Sequence, residues 1–133
     1  MLKMKNFKLI LVLCLLSIDI SPAFAQDTTC IDNARTNKEV DECGNQLVPP
    51  KELRIEREFD RLLKKYDNDK RMKEYILITK RSWNNHFNIL CNFEGAAAAK
   101  GQTKGQLPVE ANKVYLKCFI REFDEIESVL KKY

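Results

Sequence analysis

One histidine, one tryptophan and four glycines in 133 residues leave little material for several common chemistries. With His86 alone no histidine pair can hold a metal. Cys30, Cys43, Cys91 and Cys118 lie 13, 48 and 27 residues apart, without the close Cys-x-x-Cys pairs that zinc sites use. The glycines form no phosphate-cradling loop. No segment alternates with a period of two, so strands are not expected. There is no internal repeat, and no apolar run approaches the roughly 20 residues needed to span a bilayer.

The start of the chain does have a character of its own. MLKMKNFK is basic, LILVLCLLSI is uninterrupted and apolar, and SPAFA ends in Ala23-Phe24-Ala25. Residues 1–25 therefore read as a secretory signal peptide, and residues 26–133 as a single exported domain, periplasmic or extracellular. Cys14 follows Val12 and Leu13 rather than the small residues that precede a lipidated cysteine. Residues 26–133 hold 20 basic and 18 acidic side chains with the signs intermixed, which argues against a nucleic-acid partner.

Helical periodicity dominates the rest. Thr36-Asn37-Lys38-Glu39 has the form of a capping box, and Val40, Cys43 and Leu47 follow on one face, which predicts a helix from Thr36 to Gln46. Pro49 and Pro50 are expected to end it. A second helix from Pro50 carries Ile55, Phe59, Leu62, Leu63 and Tyr66, and Asp67-Asn68-Asp69 makes a turn and a cap. A third carries Met72, Ile76, Thr79, Trp83, Phe87 and Leu90, running into Ala96–Ala99. Lys100 to Gln106 is a basic loop with two glycines. The fourth helix begins near Pro108, with Leu116, Phe119, Phe123, Ile126 and Leu130 as its stripe. The expected fold is all-α, a small antiparallel bundle of about four helices with two disulfides.

Four cysteines in an exported domain predict two bridges. If the third and fourth helices are antiparallel, Cys91 and Cys118 come level, at about 1.5 Å of rise per residue. Cys30 and Cys43 then pair by difference, which requires a chain reversal before Thr36. By count alone, three connectivities are open.

No catalytic residue is assigned. His86 sits one turn from Trp83 and Leu90, at the border of an apolar stripe, and oxidised cysteines are not nucleophiles. Asp41-Glu42 and Asp124-Glu125 read as solvated faces. Trp83, Phe87, Phe59, Phe119 and Phe123 are expected core anchors, the indole N–H of Trp83 needing one partner. No cofactor and no metal are expected, and the chain is read as a binding protein rather than an enzyme.

One pattern of residues is familiar. Cys30, Thr36-Asn37-Lys38-Glu39-Val40 and Cys43, then Ile55 to Phe59 with Leu62-Leu63, then Lys80-Arg81-Ser82-Trp83 with Cys91 eight residues after the tryptophan, and finally Cys118, together resemble the LprI-type lysozyme-inhibitor domain family, small exported bacterial helical domains. Where that family typically carries polar residues, this chain has Glu56, Lys80, Phe87-Asn88, Phe123 and Ile126. The resemblance implies a protein that binds and blocks lysozyme. A basic target with two carboxyl groups in its cleft favours an acidic docking surface and a basic protrusion. Asp27, Asp32, Glu39, Asp41 and Glu42, with Glu122, Asp124, Glu125 and Glu127, are the expected acidic surfaces, and Lys100 and Lys104 the expected protrusion. The alternative is an envelope or secreted helical scaffold that binds a different protein.

Overall fold

The computed structural model describes residues 28–100 and 107–133. The leader at 1–25, Asp27 and Lys104 lie outside the described residues. Of those described, 85% are helical and none forms a strand. Four helices follow one another: α1 (Thr29–Asn33), α2 (Asn37–Lys65), α3 (Lys70–Ala98) and α4 (Val109–Leu130).

The reversal before Thr36 is present, since Ala34 and Thr36 both have extended backbone between α1 and α2. Thr36 caps α2 reciprocally: its hydroxyl accepts from the Glu39 N–H at 3.2 Å, and the Glu39 carboxylate accepts from the Thr36 N–H at 3.1 Å. Asp69 caps α3 by accepting from the Met72 N–H at 3.0 Å.

The two prolines do not end the first helix; α2 runs through Pro49 and Pro50 without interruption. The carbonyls left without an N–H donor belong to Asn45 and Gln46, which are exposed and open to water, as are both prolines. Continuity is enforced by packing on the opposite side. One core cluster holds Ile31, Val40, Cys43, Leu116 and Ile120, and a second holds Ile55, Phe59, Leu62, Phe123 and Leu130. Val48, immediately before the prolines, packs against both. Breaking α2 there would separate its two halves from one continuous wall on α4.

The long helices run up, down and up, so α2 and α4 are parallel to each other, as alternate members of an antiparallel array are. Cross-links along them advance together: Asn112 meets Asn37, Asp124 meets Lys51, Glu127 meets Arg54, and the Leu130 carbonyl meets Arg61. Helix α4 packs along both α2 and α3, which make far less contact with each other.

Cys91 and Cys118 are joined, with their Cα atoms 5.4 Å apart. A cross-link over 27 residues stabilises by about 3–4 kcal/mol if it acts through unfolded-chain entropy. Beyond it Gly95 lets the helices close in: a Cβ there would lie 3.2 Å from the Tyr115 Cβ. On the other side of the bridge Trp83, Phe87, Phe119 and Phe123 form a ring stack, with Phe87 edge-on to Phe119 at 4.9 Å. Phe59, Phe87 and Phe123 are buried, whereas Trp83 and Phe119 are half-buried. The Trp83 indole N–H, expected to find a partner, is buried without one among the described residues. Its ring is clasped by Phe87 and Phe123, neither of which can accept through a side-chain oxygen.

Replacing Pro49 and Pro50 by alanine should stabilise the fold by about 2 kcal/mol per site, the interior-helix penalty of proline less its restriction of the unfolded chain. Urea unfolding followed by circular dichroism measures this. A loss of stability would mean that α2 is not one helix.

Candidate interaction surface

The helix that holds the ring stack inside has an unusual outside. From Ser82 to Phe93 no side chain is charged, in a protein where 32% of residues are. Asn84, Asn85, Asn88 and Asn92 are exposed, and two of them bond back along the helix, Asn88 Nδ2 to the Asn84 carbonyl at 2.6 Å and Asn92 Nδ2 to the Asn88 carbonyl at 2.8 Å. Beside this ladder Ile89 and Phe93, one turn apart, are 63% and 68% exposed. His86 shares that exposed side.

Helix α3 then ends at Lys100, which is exposed and has φ of 49°, the left-handed conformation that turns the chain away from the helix axis. Lys100 thus stands at one root of the 101–106 segment. The other root, Leu107, is 42% exposed, and its carbonyl accepts from Asn37 Nδ2 at 2.7 Å. Asn112 completes this anchor by donating to Asn37 and Asp41, each at 3.3 Å. The roots are therefore tied to the first turn of α2 and the start of α4. Lys113 and Lys117 tie α1 to the same end through Asp32.

The expected acidic surfaces are largely consumed inside the fold. On α4, Asp124 pairs with Lys51 at 2.5 Å, Glu122 with Arg121 at 3.1 Å, and Glu127 with Arg54 and Lys131 at 3.2 and 2.6 Å. Glu122 and Glu127 are buried. Near the amino end, Asp32 is held by Lys117, Glu39 by the amides of Arg35 and Thr36, and Glu42 by Lys38 at 3.9 Å. The Lys117 ammonium lowers the Asp32 carboxyl below its ordinary value. Asp124 and Glu127, three residues apart on α4, reach α2 at Lys51 and Arg54, whereas Glu122 is paired on α4 itself.

Cys30 and Cys43 lie side by side as thiols. Burial, then a hydrogen bond to Cys30, push the Cys43 thiol up to about 11. Among the described residues no group of three histidine, cysteine or carboxylate side chains could hold a metal, and no helix is long and apolar enough to cross a membrane.

Comparison with protein-family models, with curated proteins and with solved structures finds no match for this chain.

Ile89 and Phe93 were not singled out by sequence, although a signal exists: they lie off the Ile76, Trp83, Phe87, Leu90 stripe, among asparagines rather than charges. They point away from the side of α3 that carries the buried Ile76, Phe87 and Cys91.

The ion pairs make a prediction about acid. Burial pushes the Glu127 carboxyl up, but hydrogen bonds from Lys131 and Arg54 outweigh it and hold the group below its ordinary value of 4.5. A depressed folded-state value contributes stability above the unfolded value and loses it as pH falls through the folded one. Glu127→Gln should therefore cost about 1 kcal/mol at neutral pH, with the gap to the parent closing below pH 4.5. A gap independent of pH would remove ionisation from the role of Glu127.

Proposed function

We propose that the chain is an exported, non-catalytic binding protein that blocks lysozyme in the manner the LprI-type resemblance implies. The observation that carries this reading is the loop-bearing end of the bundle. There Lys100 leaves α3 in a left-handed conformation, Leu107 is fastened by Asn37, and Ile89 and Phe93 stand exposed on the adjoining uncharged face. A basic segment carried on a disulfide-braced base is suited to engaging a cleft, because the ordering cost of the base is already met by the fold. Lys100 and Lys104 would face the two cleft carboxyls, and Phe93 would supply an aromatic anchor at the rim. Docking on this end does not draw on Asp124, Glu122 or Glu127, which are paired within the fold.

Lys100→Ala with Lys104→Ala should weaken inhibition about tenfold or more in a cell-wall turbidity assay and leave thermal stability unchanged. Inhibition at the parent level would take the loop out of the mechanism. The second reading, a helical scaffold for another protein, is favoured by a separate observation. Glu56 and Lys80, two departures from the resembled family, pair with each other, and Phe87 and Phe123, two more, are buried in ring contact at 5.4 Å. The polar positions of the family are here part of the framework. If the oxidised domain leaves lysozyme untouched at micromolar concentration, this second reading stands.

In an oxidising compartment Cys30 and Cys43 join as a second bridge, clamping α1 to α2. Intact mass of exported material, set against its reduced form, is expected to show two hydrogens lost for each of two bridges. A loss for one bridge only would leave Cys30 and Cys43 as thiols.

A further inference from the structure

At the end of the bundle opposite the loop, α2, α3 and α4 do not close on one another. They leave a cavity of about 300 Å³ between the last turns of α2 and α4 and the first turns of α3. Its floor is Phe59, Leu62, Ile76 and Leu130, all buried, and its rim carries Tyr66, Tyr75 and Tyr133. The volume is at the small end of the range for ligand sites, which begins at about 300 Å³, and equals about ten water molecules of liquid volume. An apolar floor of this kind gives water little to bond to and rewards an apolar occupant.

The rim has a defined charge. Arg71 donates from Nε and Nη2 to the Tyr75 hydroxyl, both at 3.3 Å, and its guanidinium lies 5.6 Å from the centre of that ring. Lys65 lies 5.3 Å from the centre of the Tyr66 ring and bonds the main-chain oxygen of Tyr133. Neither has a side-chain carboxylate partner among the described residues. Between the helices, Lys51, Arg54, Lys80, Lys117 and Arg121 are paired with acids. The acids nearest the cavity are occupied, Asp67 by Lys73, Glu58 by Arg61 and Glu127 by Lys131 and Arg54. Glu74 is exposed and unpaired but projects about 100° around α3 from Tyr75.

We infer that this cavity is a binding site for a small aromatic anion, whose ring enters between the tyrosines onto the Phe59 floor and whose carboxylate or similar head meets Arg71 and Lys65. Four aromatic side chains around one opening favour a flat ring by offset and edge contacts. The two cations, each held against a rim tyrosine or its neighbour, supply charge-assisted hydrogen bonds at the mouth.

The probe is 2-naphthoate, with 2-naphthylmethanol as its neutral counterpart, titrated by calorimetry against the oxidised domain. Saturable one-to-one binding of naphthoate is expected. Val129→Trp and, from the opposite wall, Thr79→Trp fill the opening from exposed positions and should abolish binding while circular dichroism and Tm stay at the parent values. Lys65→Gln with Arg71→Gln should weaken naphthoate about fivefold to tenfold and leave naphthylmethanol unchanged. Absence of saturable naphthoate binding at millimolar concentration overturns the site. So does binding that survives both tryptophan variants in their folded forms, or an equal effect of the double glutamine variant on the acid and the alcohol. Lysozyme inhibition is read separately, so neither result depends on the other.

Discussion

Helix α4 has to be buried on two sides at once, and the rest of the molecule is arranged to allow it. Because α2 and α3 make so little direct contact, no core exists without α4 between them. Its buried positions, Ala111, Leu116, Cys118, Ile120, Glu122, Phe123, Ile126, Glu127 and Leu130, are too many and too widely spread around the helix for a single stripe. Two carboxylates fall inside that band, and burying an unpaired charge would cost several kcal/mol. Arg121 answers Glu122, while Arg54 and Lys131 answer Glu127. The ion pairs are thus a consequence of α4's two-sided burial as much as an ornament of the surface. Fixed by α2 through these pairs and by α3 through the Cys91–Cys118 bridge, α4 sets the spacing of both outer helices.

That arrangement explains what could be read from sequence and what could not. The apolar stripes of α3 and α4 are long and keep step with 3.6 residues per turn, so their existence, the Asp69 cap and the Thr36 capping box were all legible. The prolines misled because their local penalty is large, about 3 kcal/mol, and only tertiary contact around Val48 explains why it is overridden. The acidic residues of α4 misled for a related reason. A run of carboxylates has the same appearance whether it faces water or basic side chains on a parallel neighbour. The five-residue α1 has no periodicity to detect, and its docking through fully buried Ile31 is visible only in three dimensions. Of the candidate surface, Ile89 and Phe93 required knowledge of which side of α3 is left uncovered.

The positions at which the chain differs from the resembled family form a coherent set. Lys80 reaches from α3 to Glu56 on α2 and lies 5.7 Å from the centre of the Phe59 ring, so one substitution supplies the partner of another. Phe87 and Phe123 make contact across α3 and α4, with Trp83 against both. Both pairs are taken up in holding the helices together, so these four side chains belong to the framework of the bundle.

Charge distribution separates those parts. Where the helices touch, opposite charges are matched; where they diverge, matching fails in two different ways. At the loop-bearing end the α3 surface carries no charge from Ser82 to Phe93, and apolar side chains are exposed in its place. At the far end Arg71, bonded to Tyr75, and Lys65, bonded to the main-chain oxygen of Tyr133, stand beside an apolar hollow. A surface under selection only for solubility would scatter mixed charges over both ends, since that is the arrangement that keeps a small domain apart from its neighbours. An uncharged apolar face costs solubility, and unneutralised cations beside a cavity add local repulsion. Each departure is tolerable to the fold because the disulfide, the ring stack and the α2–α4 ion pairs brace the middle of the bundle.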